Sequence, residues 1–230
     1  MFESLRPHLV DPIRSEALAS LVQQLQKRTT PTNVAQVRQL SPFRYPGGKT
    51  WLVPEVRKWL VTAKHPPSVF VEPFAGGAMA GLTAAAEGLA EKVFLCELDA
   101  DVAAVWATIF HGTDTDVRWL CERITGFEVN LDSVQLVLGI NPKSDKGKAF
   151  RTIVKNRMQR GGIMAVGAGL IKSGEAGRGL HSRWYPETLV KRIEALRTLR
   201  DKITFKQGDA FAVVKRFAND PNAFFYIDPP

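Results

Sequence analysis

The chain has 230 residues, of which 45% are hydrophobic and 23% are charged, as is ordinary for a globular protein with a buried core. Its two cysteines, Cys96 and Cys121, stand in unrelated contexts, which argues against a disulfide scaffold or a metal site and fits a reducing compartment. The N-terminus lacks a signal-peptide core and no apolar run reaches membrane-spanning length, so we expect a cytoplasmic protein with no membrane partner.

The net charge of +8 is concentrated in one region. Residues 143–202 contain 15 Lys or Arg and 5 Asp or Glu, whereas the rest of the chain contains 16 Lys or Arg and 18 Asp or Glu. A regional basic patch favours a polyanionic partner, and nucleic acid ranks ahead of a membrane because no amphipathic anchor accompanies the patch. A solvated helical face would explain the charge alone equally well.

The first part of the chain reads as an extension followed by a loop. Residues 11–28 have helical spacing and residues 29–33 are typical of a linker, so we assign residues 1–40 to an N-terminal helical extension and linker. A loop rich in Pro and Gly follows at 41–50, and an amphipathic helix is predicted over 51–61.

From residue 68 onward, short apolar strands alternate with helices. This order is typical of an α/β fold whose parallel sheet has helices on both faces. The less regular, basic block at 112–190 is interpreted as an insertion between the second and third strands. The predicted strands are 68–73, 92–97, 203–207 and 223–227, and the predicted helices are 75–89, about 101–110, 187–202 and 210–218.

Each predicted strand is followed closely by an acidic residue, and the first also by two glycines. In parallel sheets, ligands bind beyond the carboxyl ends of the strands, where the strand order reverses. Any one of these turns alone is more often structural, but four in register favour a shared site. The residues are Glu72 with Gly76 and Gly77, then Glu97, Asp209 and Asp228.

These turns favour an adenosine ligand. Glu97 lies 20 residues after Gly77, the spacing of an acid that reaches ribose hydroxyls, and Asp209 can accept from an adenine amino group. The glycines allow close backbone approach, and we expect the next helix to offer free N–H groups to a ligand carboxylate. Phe43 replaces the first glycine of a phosphate-binding loop, and the turn after the first strand lacks GxGxxG. S-adenosylmethionine therefore ranks above ATP, NAD and FAD.

Six parts of the chain together resemble the Dam-like (D12 class) DNA N6-adenine methyltransferases, from about residue 41 to the end. In that class the glycine–lysine segment precedes the cofactor loop, and the target-recognition region lies between that loop and the catalytic motif. The matching parts are FRYPGGK (43–49), FVEPFAGGA (70–78), Glu97, RTIVKNRMQRGGI (151–163), GDAF (208–211) and IDPP (227–230).

The resemblance implies a Rossmann-like, S-adenosylmethionine-dependent sheet with a mostly helical, basic insertion that recognises duplex DNA. Residues 41–111 and 203–230 would form the cofactor-binding and catalytic domain, and residues 112–202 the DNA-binding insertion. The implied catalytic residues are Asp228, Pro229 and Pro230, and the implied cofactor-binding residues are Tyr45, Gly48, Lys49, Glu72, Pro73, Phe74, Ala75, Gly76, Glu97 and Asp209. The implied DNA-binding residues are Arg44, Asn156, Arg157, Arg160 and Arg183.

The implied chemistry suits an exocyclic amino group. A carboxylate and a carbonyl that accept its two N–H bonds aim the nitrogen lone pair at the methyl donor, and positioning supplies most of the rate. An acid at position 228 favours adenine N6 over cytosine N4, which ranks third. The alternatives are RNA adenine-N6 methylation and a DNA-binding module without catalytic activity. Restriction–modification, a phage or genome maintenance would all accommodate the predicted reaction.

The end of the chain departs from the family pattern. Family members continue after the two prolines with an aromatic residue that stacks on the flipped base, and then with further strands, whereas this sequence ends at Pro230. Base–aromatic stacking is worth about 1–3 kcal/mol. We therefore expect a truncated methyltransferase that lacks its C-terminal strands, with catalysis by these 230 residues alone crippled.

Overall fold

The computed structural model describes residues 37–44, 49–165 and 167–229, so the helix predicted over 11–28 lies outside the described residues. The helices are α1 (Val53–Thr62), α2 (Met79–Glu87), α3 (Ala100–Phe110), α4 (Asp114–Thr125), α5 (Leu131–Gly139), α6 (Asp145–Met158), α7 (Pro186–Arg197) and α8 (Ala210–Phe217). The strands are β1 (Val69–Glu72), β2 (Lys92–Glu97), β3 (Ile203–Gln207) and β4 (Ala223–Phe225). Short 3₁₀ turns span Lys49–Leu52, Arg160–Gly162, Glu175–Gly177 and Gly179–Arg183.

The four strands form one parallel sheet in the order β3-β2-β1-β4. The chain steps from β1 outward to β2 and β3, and then returns to pair β4 with the other side of β1. The order therefore reverses between β1 and β4, and the carboxyl ends of these two strands border the crevice where such sheets bind ligands. This architecture confirms the predicted mixed α/β, Rossmann-like methyltransferase fold.

Alternate residues of the central strands enter two different cores. Phe70 of β1 and Leu95 of β2 join the main core, which includes side chains of α2, α3, α6 and α7. Their neighbours Val71 and Phe94 point to the opposite face, where they pack with Val213 of α8. Helices therefore cover both faces of the sheet, as the continuous apolar strands predicted.

The chain between β2 and β3 is mostly helical in its described part. Three of its helices begin at side-chain caps: Thr113 forms a capping box at α4, and Asn130 and Ser144 cap α5 and α6. Hydrophobic residues of α6, such as Ile153, belong to the same continuous core as Trp106 of α3. An ion pair of 2.6 Å between Arg151 and Asp101 also joins these two helices. Helix α6 is therefore packed against α3, in the same core as the main face of the sheet.

Several element boundaries differ from the predictions, including one before β3 and one at the end of β4. The helix predicted over 187–202 ends at Arg197, because the chain turns before β3. The strand predicted over 223–227 extends only as far as Phe225. The N–H of Tyr226 still donates to the carbonyl of Val71 at 2.9 Å. The turn after β4 therefore begins at residue 227.

Across the described ranges, the structure contains no helix both long enough and apolar enough to span a bilayer. Within those same ranges, no three His, Cys, Asp or Glu side chains are grouped to hold a metal ion.

Candidate active site

A cavity of about 1200 Å³ lies at the carboxyl ends of the strands. It brings together most of the predicted site residues, including those that follow all four strands. Those that line it are Arg44, Lys49, Glu72, Pro73, Phe74, Ala75, Gly76, Glu97, Arg157, Asp209, Asp228 and Pro229. The predicted residues Tyr45, Gly48 and Pro230 lie outside the described residues.

The glycine loop after β1 is held by the acid after β2. Oε2 of Glu97 accepts from the N–H of Gly76 at 2.7 Å, and Oε1 accepts from the N–H of Asp99 at 2.9 Å. The indole N–H of Trp106 donates to the carbonyl of Gly76 at 3.0 Å, so both polar groups of Gly76 are fixed. The φ of Gly76 is 45°, in the left-handed region that favours glycine. Each carboxylate oxygen of Glu97 keeps a second lone pair, which allows it also to accept a ligand hydroxyl.

Glu72, the last residue of β1, caps the N-terminus of α2. Ala78 stands at the N-cap of α2 with a φ of 53° and no capping side chain, and Oε2 of the buried Glu72 accepts instead from the N–H of Gly81 at 2.7 Å. This corrects the expectation that the first turn of α2 is free for a ligand carboxylate. Burial raises the pKa of Glu72 to about 8, and the nearby carboxylate of Asp228 adds to the increase. At neutral pH Glu72 is therefore mainly protonated.

The predicted catalytic acid is paired with the predicted lysine. Nζ of Lys49 lies 2.9 Å from Oδ1 of Asp228, although 179 positions separate the two residues. Both side chains are about 40% exposed, and exposed pairs of this kind contribute little to stability. The effect of the pair is therefore to orient the carboxylate at the edge of the cavity.

Asp209 caps α8 and is followed by an aromatic residue that the sequence predictions missed. Oδ1 of Asp209 accepts from the N–H of Phe211 at 3.1 Å. The Phe211 ring is 69% exposed, lines the cavity and meets the Phe74 ring edge-on at 6.3 Å. An exposed aromatic side chain beside a cavity of this size is suited to contact a flat ligand ring. The available signal was a phenylalanine two positions after the acid of the third turn.

The structure does not bring Asn156 to a surface that DNA could contact. This side chain is 1% exposed, and its Oδ1 accepts from the N–H of Arg44 at 2.8 Å. Its Nδ2 donates to the carbonyls of Arg44 at 2.8 Å and of Gly162 at 3.0 Å. Asn156 therefore fastens the segment before Lys49 to the turn after α6, in place of the predicted contact with DNA.

Two arginines of the insertion hold the same segment. Arg157, which is only 8% exposed, donates to the carbonyl of Pro42, and Arg192 of α7 donates to the carbonyl of Ser41 at 2.9 Å. Arg192 was not predicted as a site residue, although it lines the large cavity. The other predicted DNA-binding residues, Arg160 and Arg183, line a second, smaller cavity.

Comparison with known proteins identifies the family. No curated protein gives a significant match to this chain. A family model described as D12 class N6 adenine-specific DNA methyltransferase matches residues 45–230, which include all four strands and the acids that follow them. The chain therefore belongs to the D12 class of N6 adenine-specific DNA methyltransferases, a family of enzymes that methylate adenine in DNA.

Proposed function

We propose that this chain transfers a methyl group from S-adenosylmethionine to N6 of an adenine that is flipped out of a specific sequence in duplex DNA. The observation that carries the proposal is that Glu97, Asp209 and Asp228 border one cavity, although they follow three different strands. Family membership supports adenine methylation in general, and the geometry of this cavity supports the assignment of its parts.

The residues around the cavity fit the methyl donor. Glu97 and Asp209 supply acceptors for the hydroxyl and amino groups of an adenosine, and Phe211 with Phe74 supplies an aromatic wall. When bound there, S-adenosylmethionine supplies an electrophilic methyl group on a sulfonium. The turn at Gly76, fixed by Glu97 and Trp106, would let the amino-acid part approach the backbone closely.

The residues after β4 would prepare the attacking nitrogen. The carboxylate of Asp228 and the carbonyl of Pro229 would accept the two N–H bonds of the adenine amino group, which directs its lone pair away from the ring. N6 would bond to the methyl carbon while the carbon–sulfur electron pair stays on sulfur as a neutral thioether, and the proton that N6 loses would leave through the partly exposed carboxylate of Asp228 to solvent. Lys49 would keep the carboxylate of Asp228 in this orientation. Because Glu72 is mainly protonated at neutral pH, it does not add a second negative charge beside Asp228.

The size of the cavity supports two occupants. Its volume of about 1200 Å³ exceeds the roughly 300–1,000 Å³ of a typical site for one small ligand. Turning an adenine out of the duplex costs a few kcal/mol, and contacts of basic residues with DNA phosphates would offset that cost. Two arginines of the insertion, Arg157 and Arg192, line the cavity.

Calorimetry with S-adenosylmethionine tests the cofactor assignment. Asp209→Ser keeps a good helix cap but shortens the reach toward the adenine, so we expect the affinity to fall about tenfold, or about 1.4 kcal/mol. The matched control is Asp132→Ser, which changes an exposed acid in the first turn of α5 and is expected to leave the affinity unchanged. Absence of heat from folded wild-type protein would contradict the cofactor assignment.

Transfer of a tritiated methyl group to mixed-sequence duplex DNA tests the reaction. After digestion we expect the label in N6-methyladenine, and we expect none from Asp228→Ala. Label in RNA but not in DNA would favour the RNA alternative. Binding of DNA by the wild type with no label above the Asp228→Ala background would favour a DNA-binding module without catalytic activity.

A further inference from the structure

A second cavity of about 420 Å³ adjoins the large one and is strongly basic. Five of its lining residues are cationic, and none of its described lining residues is Asp or Glu. The five are Arg44, Arg157, Arg160, Lys172 and Arg183, and we call this space the basic cavity.

Arg157 indicates that the basic cavity needs an anion. This residue is 8% exposed, and none of the ion pairs found within the described ranges includes it. Its Nε is buried without a hydrogen-bond partner. Burial, together with the positive charges of Arg192 and Arg44, lowers the pKa of Arg157 to about 10. A buried cation normally has a hydrogen-bonded anionic partner, and the described protein supplies none to Arg157.

Glycines form part of the remaining wall of the basic cavity. Gly162 and Gly174 both line it with positive φ, 77° and 65°. A Cβ at Gly162 would lie 2.1 Å from the carbonyl oxygen of Arg44, and one at Gly174 would lie 2.3 Å from the carbonyl oxygen of Gly179. Glycine is therefore required at both positions, because a side chain there would collide with neighbouring backbone.

The two cavities are contiguous. Arg44 and Arg157 line both of them. An anion in the basic cavity would therefore lie next to whatever occupies the large cavity, and the proposed occupant there is the base of a flipped nucleotide. A phosphodiester group has the charge and the oxygen acceptors that several arginines recognise together.

We infer that the basic cavity binds one phosphodiester group of the target strand, adjacent to the flipped adenine, and so anchors the backbone while the base enters the large cavity. This inference rests on the proposed function and adds the location of one backbone contact. Such a contact positions the strand without reading its sequence.

The test compares two double variants that each remove two lysine or arginine charges. Arg160→Gln/Lys172→Gln changes two exposed cations of the basic cavity. Lys58→Gln/Lys215→Gln removes two exposed lysines of α1 and α8 that line neither cavity. Fluorescence anisotropy with mixed-sequence duplex DNA over a range of salt gives affinity and salt slope. We expect the first variant to bind about tenfold more weakly and to lower the slope by about one, as for the loss of one phosphate contact. The second should keep the wild-type slope.

A second readout locates the phosphate. Two mixed-sequence duplex pools carry neutral methylphosphonate linkages, one on the 5′ side of every adenine and the other on the 3′ side. We expect one pool to bind wild type about tenfold more weakly than unmodified DNA, in line with one lost phosphate contact, and to bind Arg160→Gln/Lys172→Gln with no further loss. Equal additional loss in wild type and variant would overturn the inference, because the two cations would then act on phosphates away from the adenine.

The remaining outcomes separate this inference from the proposed function. If both double variants bind DNA with the same slope while methyl transfer still depends on Asp228, only the phosphate inference fails. If inorganic phosphate at constant ionic strength binds through Arg160 and Lys172 but their loss leaves DNA affinity unchanged, the ligand is free phosphate and the inference is overturned. If the wild type binds no DNA at all, both the inference and the proposed function fail.

Discussion

The two adjoining cavities differ in how their charges are satisfied. In the large cavity the acids are paired within the protein: Glu97 accepts from Gly76, Asp209 from Phe211, and Asp228 from Lys49. In the basic cavity, Arg157 is almost fully buried, yet it has no acidic partner among the described residues. Under the two proposals above, the acids would be held in advance for a ligand that is hydrogen-bonded, whereas Arg157 would receive a ligand that brings its own negative charge.

The largest expected effect tests the large cavity. Asp228→Ala should lower methyl transfer at least about 100-fold, because positioning and electrostatics supply most of the rate. Affinity for S-adenosylmethionine and for DNA should change less than about threefold, since the carboxylate acts on the reacting nitrogen. Radiometric assay, calorimetry and anisotropy measure the three quantities. Asp132→Ala on α5 serves as the control, and transfer that survives in Asp228→Ala would remove the catalytic assignment.

Asn156→Ala should affect both cavities, because Asn156 holds the backbone of Arg44, a residue that lines both of them. It leaves the backbone groups of Arg44 and the carbonyl of Gly162 without their amide partner, and we expect a loss of about 2–3 kcal/mol in the free energy of unfolding. Urea unfolding measures it. The matched change, Asn130→Ala, removes an exposed helix cap and should cost about 1 kcal/mol. An equal loss in the two variants would show that Asn156 has no special structural role.

Glu72→Gln should change how the free energy of unfolding depends on pH. The pKa of Glu72 is raised from 4.5 to about 8, so the folded protein binds more protons than the unfolded chain between these pH values. The contribution of Glu72 to stability is therefore fully present below about pH 4.5 and is lost as the pH rises to about 8. The free energy of unfolding of Glu72→Gln should therefore rise by about 1–3 kcal/mol relative to that of the wild type between pH 5 and pH 8.5. Urea unfolding measures both proteins at the two pH values. The same difference in unfolding free energy at both would contradict this expectation.

The smallest expected effect concerns the aromatic wall. Phe211→Ala should weaken S-adenosylmethionine binding by about 1 kcal/mol, or roughly fivefold. Because the ring is 69% exposed, the free energy of unfolding should change by less than about 0.5 kcal/mol. Leu136→Ala, which removes a side chain that is 70% exposed on α5, should change neither quantity. Unchanged affinity in Phe211→Ala would place the adenosine elsewhere in the large cavity.

The sequence predicted the strand tips well, because local patterns determine them. The apolar runs of β2 and β3 end where predicted, at Glu97 and Gln207, and the parallel order then brings the following acids to one edge. The contacts between loops could not be predicted in this way. Asn156 reaches a backbone 112 positions away, and a polar residue in a basic segment suggests an exposed surface rather than a buried support. The cap that Glu72 gives to α2 likewise depends on how a helix packs against the sheet.

The hold of the insertion on residues 41–44 has a mechanical consequence. Three side chains of α6 and α7 form hydrogen bonds with the backbone of residues 41–44, ahead of Lys49. They are those of Asn156, Arg157 and Arg192. A shift of these helices is therefore transmitted to the start of the segment that carries the ammonium group of Lys49. Under the proposed function, binding of DNA by these helices and orientation of Asp228 by Lys49 would therefore be coupled.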